Sequence, residues 1–146
     1  MRQALALGAV LVVAAAGSGA AVATRAAATP AQVVRAWSKA LNANDNEAAA
    51  NLFAHNARIV EGNVSVPLVS HELAVEFNDS LPCAGKVVAL DVAKDGSVTA
   101  TFVLGHRPKH KCDGPGEKAA ALFVVKHGKI VSWVRVAVPK PKSPGI

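Results

Sequence analysis

Residues 119–138 read AAALFVVKHGKIVSWVRVAV. Two runs rich in β-branched and aromatic residues are broken by Lys126-His127-Gly128, the signature of a hairpin with a short glycine-containing turn. The second run is about ten residues long, near the upper end for a strand, and a strand of that length needs a sheet around it. The rest of the chain then reads as material that pairs with this hairpin or covers one of its faces.

Immediately upstream, residues 86–104 repeat the pattern. Val88, Leu90 and Val92 alternate with Val87, Ala89, Asp91 and Ala93, and Val98, Ala100, Phe102 and Leu104 alternate with Thr99, Thr101 and Val103. Asp95-Gly96 between them predicts a two-residue hairpin turn. One apolar face and one mixed face suit an antiparallel sheet covered by helices on one side. A long polar loop, 105–117, connects the two hairpins.

The N-terminal half predicts helices and short strands. Thr29-Pro30 reads as an N-cap followed by proline at the first helical position. Val33, Val34, Trp37, Ala40 and Leu41 follow as an apolar stripe, with Arg35, Ser38, Lys39 and Asn42 opposite. Asp45 caps a second helix running to Phe53, where Ala48, Leu52 and Phe53 form the buried face. A short strand is expected over 57–61 and another over 64–69, the latter confined to an edge or bulge by Pro67. Ser70 caps a third helix over 71–81, with Leu73, Phe77 and Leu81 as its stripe and Ala74 beside them. Helix, helix, two short strands, helix, then four long antiparallel strands is an α+β order.

The chain of 146 residues begins with Met1-Arg2, an apolar run over 4–16, and the small-x-small site Ala21-Val22-Ala23. That is the form of a secretory signal peptide; an uncleaved anchor is the competing reading. The expected division is a signal peptide at 1–23, a linker at 24–29, one domain at 30–138 and a disordered basic tail at 139–146. About 115 residues remain after processing, enough for one core. A secreted or cell-envelope location follows. In an oxidising compartment Cys83 and Cys112 read as a disulfide, whose loop would contribute about 3.5 kcal/mol by restricting the unfolded chain. A metal site built from Cys112, His106 and His110 is the competing reading, on loose spacing.

The formal charge is +6, concentrated in the loop His106-Arg107-Pro108-Lys109-His110-Lys111 and in Lys140 and Lys142. No arginine-rich helix or aromatic-studded basic strand accompanies these charges, so they read as solvated loops and no nucleic-acid partner is expected. The sequence has no tyrosine, which removes one common catalytic acid and oxyanion donor.

The element order, with the segments Trp37-Ser38-Lys39-Ala40-Leu41-Asn42, Asn51-Leu52-Phe53-Ala54 and Gly128-Lys129-Ile130-Val131, resembles the nuclear transport factor 2-like superfamily, most nearly its SnoaL-like and ketosteroid isomerase-like members. The resemblance spans about residues 30–138. It implies three helices packed on a strongly curved antiparallel sheet that forms a cone with an apolar pocket, and often a homodimer. Members include isomerases, cyclases, hydratases, epoxide hydrolases and binding modules, so the fold leaves activity open.

Enzymatic relatives use a pocket Asp or Glu as general base. Where many relatives have Asp entering the first strand, this chain has Asn56. The acids available are Glu61, Glu76, Asp79 and Asp91. Glu61 either turns into the pocket mouth or ends its strand in solvent. Glu76 and Asp79 read as solvated charges on the outer face of the third helix, and Asp91 falls on the mixed strand face. His55 reads as a cation at the end of the second helix, His71 as a rim candidate, and His127 as an exposed turn residue. Catalytic candidates are thus Glu61, Asp91 and His71. Alternation places Trp133 and Arg135 on one face of the last strand and Ile130, Val134 and Val136 on the other. If the first face lines the cone, Trp133 is an apolar wall and Arg135 an anion or carbonyl clamp; if it faces out, Trp133 packs on a neighbour. The residues favour an exported domain that binds a small apolar ligand without catalysis and without a cofactor. The alternatives are an isomerase- or hydratase-type enzyme with a carboxylate base, and a basic module for an anionic cell-surface polymer.

Overall fold

The computed structural model describes residues 17–21 and 25–145. The expected apolar signal run 4–16 and the Val22-Ala23 end of its cleavage site lie outside the described residues. The chain forms α1 (Pro30–Asn42), α2 (Asn46–Ala50), β1 (Phe53–Glu61), β2 (Val64–Leu68), α3 (His71–Ser80), β3 (Ala84–Val92), β4 (Val98–Gly105), β5 (Lys118–Lys126) and β6 (Lys129–Val136). Residues 139–145 are exposed and without regular structure.

Local chemistry explains the helix ends. Thr29 accepts from the Gln32 N–H while the Gln32 side chain accepts from the Thr29 N–H, a complete capping box with Pro30 at the first position. Asp45 and Ser70 cap α2 and α3 through the Ala48 and Leu73 amides. The second helix is shorter than the sequence suggested. It stops at Ala50, and Phe53 is the first strand residue, so His55 lies in β1 rather than at a helix end.

The six strands form one sheet in the order β2-β1-β6-β5-β4-β3. Proline-bearing β2 takes an edge, as expected of a strand lacking one ladder donor. Neighbours are antiparallel except β1 and β6, which run parallel and correct the expectation of a purely antiparallel sheet. The His127-Gly128 turn has positive φ at both residues, the primed geometry that matches strand twist. The other turn differs from expectation. Residues 93–97 form a wider loop, with the Gly96 N–H on the Ala93 carbonyl and only Gly96 at positive φ.

Three register breaks shape the sheet. β1 slips against β6 between Phe53 and Arg58, where Asn56 adopts φ 60°. β3 carries an extra residue at Val88, and β6 carries one at Val131. Bulges bend the bulged strand and deepen twist, which curls this sheet around the helices. All four phenylalanines and both tryptophans of the chain meet in the resulting core. Trp37 of α1 packs edge-on against Phe102 and Phe123, with ring centroids 6.1 and 5.3 Å apart. Phe77 of α3 packs likewise on Phe53 and Trp133, at 5.8 and 5.2 Å.

Candidate functional site

The inner face of the sheet, α1 and the segment leaving α3 line a partly open cavity of about 150 Å³. α1 contributes Trp37, Ser38 and Leu41, and the segment leaving α3 contributes Leu81, Pro82, Cys83 and Gly85. Phe102 and Leu104 come from β4, Ala119 to Ala121 from β5, and Trp133 and Arg135 from β6. Ala119 and Ala121, which share the inner face of β5 with Phe123, help make the space, because they carry no side chain beyond Cβ beside Phe102 and Trp133. A cavity of this size in an apolar interior accommodates a benzene-sized molecule.

Polar groups at its wall are few. Ser38 donates its hydroxyl to the Gly85 carbonyl at 2.7 Å, and the Asn42 amide brackets the same residue through both its groups, at 3.0 and 2.8 Å. This pairing ties α1 to the start of β3. Gly85 allows a close approach there, since a Cβ would sit 3.0–3.2 Å from the Phe102 side chain and press on it. Trp133 is 5% exposed and its Nε1–H is buried without a partner. Arg135 stands at the rim, 58% exposed, with its Nε 3.7 Å from a Glu61 carboxylate oxygen that is itself in a 45% exposed side chain.

The sequence-based candidates divide sharply. Trp133 and Arg135 both line the cavity. Ile130 does not pack on the opposite face as simple alternation required. The Val131 bulge turns it into the core beside Trp133. Glu61 and Glu76 line a separate, more open groove of about 580 Å³ between α3 and the β1–β2 edge, with Val64, Val66, Leu73 and Phe77. Asp91 is exposed on the outer face of edge strand β3, opposite Thr99, and lines neither space. His71 bonds Glu47 at 2.6 Å on the surface, joining α3 to α2 away from the cavity. Cys83 and Cys112 are disulfide-bonded, which overturns the alternative metal set, and Cys83 forms part of the cavity wall. His110 is spent on Asp79, through its carboxylate at 3.2 Å and its carbonyl at 2.9 Å.

Sequence reasoning missed three supports of this wall. Ser38, assigned to the polar side of α1, is buried; its position four after Val34 and three before Leu41 falls on the apolar stripe. Asn78 is fully buried, accepting from Trp37 Nε1 at 2.8 Å and donating to the Ala74 carbonyl at 2.7 Å. Arg107, from the presumed solvated loop, is only 2% exposed. It donates to the Asn78 and Leu81 carbonyls at 2.6 Å each, closing the C-terminal end of α3, and also to Asn46. Burial lowers its pKa from the ordinary guanidinium value, while the Asp79 charge opposes that shift.

No protein-family model matches the chain, and no curated protein matches it in sequence. Solved structures do match. A nuclear transport factor 2-like protein of unknown function from Cytophaga hutchinsonii aligns over 77% of this chain and 93% of its own, at 15% identity and a TM-score of 0.61. The fold is the nuclear transport factor 2-like fold. A protein of ketosteroid isomerase-like fold from Catenulispora acidiphila, in complex with trimethylamine, aligns over 75% of this chain and 87% of its own, at 20% identity and a TM-score of 0.59. A candidate polyketide cyclase from Pseudomonas putida aligns over 76% and 92%, at 17% identity and a TM-score of 0.56. Within the nuclear transport factor 2-like fold, the cavity of this chain lies where the sheet curls over α1 and the end of α3.

Proposed function

We propose that the chain is an exported, disulfide-locked binding protein of the nuclear transport factor 2-like fold that holds a compact apolar molecule in the cavity beside Trp133 without transforming it. The observation that carries this reading is the make-up of the wall: aromatic, leucine and alanine side chains, with neither a carboxylate nor an imidazole among the lining residues. General acid–base chemistry needs such a group within hydrogen-bond reach of the reacting atoms. Burial alone can hold a ligand, at roughly 25 cal/mol per Å² of apolar surface removed from water. A neighbour of the same fold holds trimethylamine, which supports occupancy by a small molecule here.

The carboxylate nearest the cavity rim group is Glu61, and it carries the catalytic alternative, with Arg135 as electrophile. An isomerisation assay with a ketosteroid-type substrate separates the two. The expected result is no turnover by the protein; turnover lost in Glu61→Gln and kept in Asp91→Asn, a residue outside both spaces, would overturn the binding reading and identify the base. The same preparation tests export, for which residues 1–23 are proposed as a cleaved signal peptide. Intact mass of the secreted protein should correspond to a chain starting at Thr24.

A further inference from the structure

Resting on the cavity reading above, we propose that the occupant is a compact apolar monoanion, a carboxylate with a body the size of one six-membered ring. Its body fills the space between Trp37, Phe102 and Trp133, and its carboxylate meets Arg135 at the rim. Three observations converge on this class. Arg135 is the one charged side chain among the residues lining the cavity. Its guanidinium makes no hydrogen bond among the described residues, because Glu61 stands at 3.7 Å, beyond donor–acceptor contact. Five donors in a planar fork are therefore free, and that fork matches a carboxylate in bidentate fashion. The second unspent group is also a donor, the buried Nε1–H of Trp133.

The Glu61–Arg135 pair does not block this. Both side chains are about half exposed, and a solvent-exposed pair at that separation is weak and screened by salt. An incoming carboxylate anchored by an apolar body displaces Glu61 readily, and Glu61 acts as a competitor held in place when the cavity is empty. The net charge of +6 favours the approach of an anion over that of a cation. An amine would place its charge against the guanidinium, so the ligand class differs from trimethylamine, which the Catenulispora neighbour holds. The volume sets the upper limit: about 150 Å³ takes a ring or a branched chain, with the charged head projecting to the rim.

The test is a titration of the full chain with benzoate, benzyl alcohol and benzylamine, followed by calorimetry and by the indole N–H resonances. Benzoate is expected to bind about tenfold tighter than benzyl alcohol, with benzylamine weakest. Arg135→Gln should bring benzoate down to the level of benzyl alcohol and leave benzyl alcohol unchanged. Glu61→Gln should tighten benzoate about threefold by removing its competitor. The Trp133 indole N–H resonance should shift the more, because the Trp37 N–H is already bonded to Asn78 and feels only the ring packed beside it. Equal binding of benzoate and benzyl alcohol, unaltered by Arg135→Gln, would overturn the anion class and leave the apolar cavity standing. No perturbation of Trp133 by any of the three probes would overturn the cavity reading itself.

Discussion

Among the described residues, Arg107 is the one buried charged side chain. Its neighbours in the run His106-Arg107-Pro108-Lys109-His110-Lys111 are mostly solvent-exposed, yet its guanidinium sits beneath the end of α3 and donates to the Leu81 carbonyl and to the Asn78 carbonyl, whose one other contact is a long bond from the Leu81 N–H. Methionine at this position would fill similar volume but leave the Leu81 carbonyl and the Asn46 side-chain oxygen without this donor, and the Asn78 carbonyl with only its long bond from the Leu81 N–H. Arg107→Met is expected to cost about 3 kcal/mol in urea unfolding, since bonds to charged groups are worth about 1.5–3 kcal/mol each and do not add fully. A loss below about 0.5 kcal/mol would mean that water replaces the guanidinium freely. Asn78 is the companion case. It is the partner of Trp37 Nε1 and bonds the Ala74 carbonyl, so Asn78→Ala strands a buried indole donor and should cost about 2–3 kcal/mol.

At the scale of elements, the connection between β4 and β5 matters most. It is tied back by the Cys83–Cys112 bond, by Arg107 and by His110, and Cys83 also forms cavity wall. Replacing both cysteines by serine should lower stability by about 2–5 kcal/mol, the usual range for a native disulfide in a small domain. Amide exchange should accelerate across residues 106–117 before it does in β5 or β6. Uniform acceleration throughout the sheet would show instead that the bond supports the whole domain. The junction of α1 and β3 makes a sharper test of packing. Gly85→Ala drives a methyl to 3.0 Å from Phe102 beside the Ser38 and Asn42 contacts, and overpacking of this kind costs about 1–3 kcal/mol.

For the molecule as a whole, the useful contrast is between two spaces on one sheet face. The larger groove at the β1–β2 edge is the more open and carries Glu61 and Glu76; the smaller space under α1 is partly open, largely apolar and carries Arg135 at its rim. The less open space is the better suited to a compact apolar ligand, because more of the ligand's surface is removed from water there. A ligand at one hundred times its dissociation constant adds about 2.7 kcal/mol to stability, which for a domain of this size raises Tm by more than about 5 °C. Ala121→Leu should fill the cavity and abolish that rise, while changing the unliganded stability by no more than about 1–3 kcal/mol. A rise that persists in this variant would place the ligand in the groove instead.

Much of the architecture was legible in the residues themselves. The caps at Thr29, Asp45 and Ser70, the hairpin around His127-Gly128, the edge strand with Pro67 and the pairing of the two cysteines all rest on signals within a few residues of each other or on arithmetic. The register breaks were not legible. One extra residue at Val131 reverses the face of Ile130, and nothing in a run of alternating apolar residues marks where a ladder slips. The parallel contact of β1 with β6 joins segments about seventy residues apart, which local periodicity does not report. Burial of Arg107 depends on carbonyls at Asn78 and Leu81 that become acceptors only because α3 ends there. The sequence alone therefore determined which elements form and in what order, because caps, turns and alternation act over one to four residues. Only the tertiary structure decided which charges face the cavity, because that depends on bulges and on partners brought together by the closed sheet.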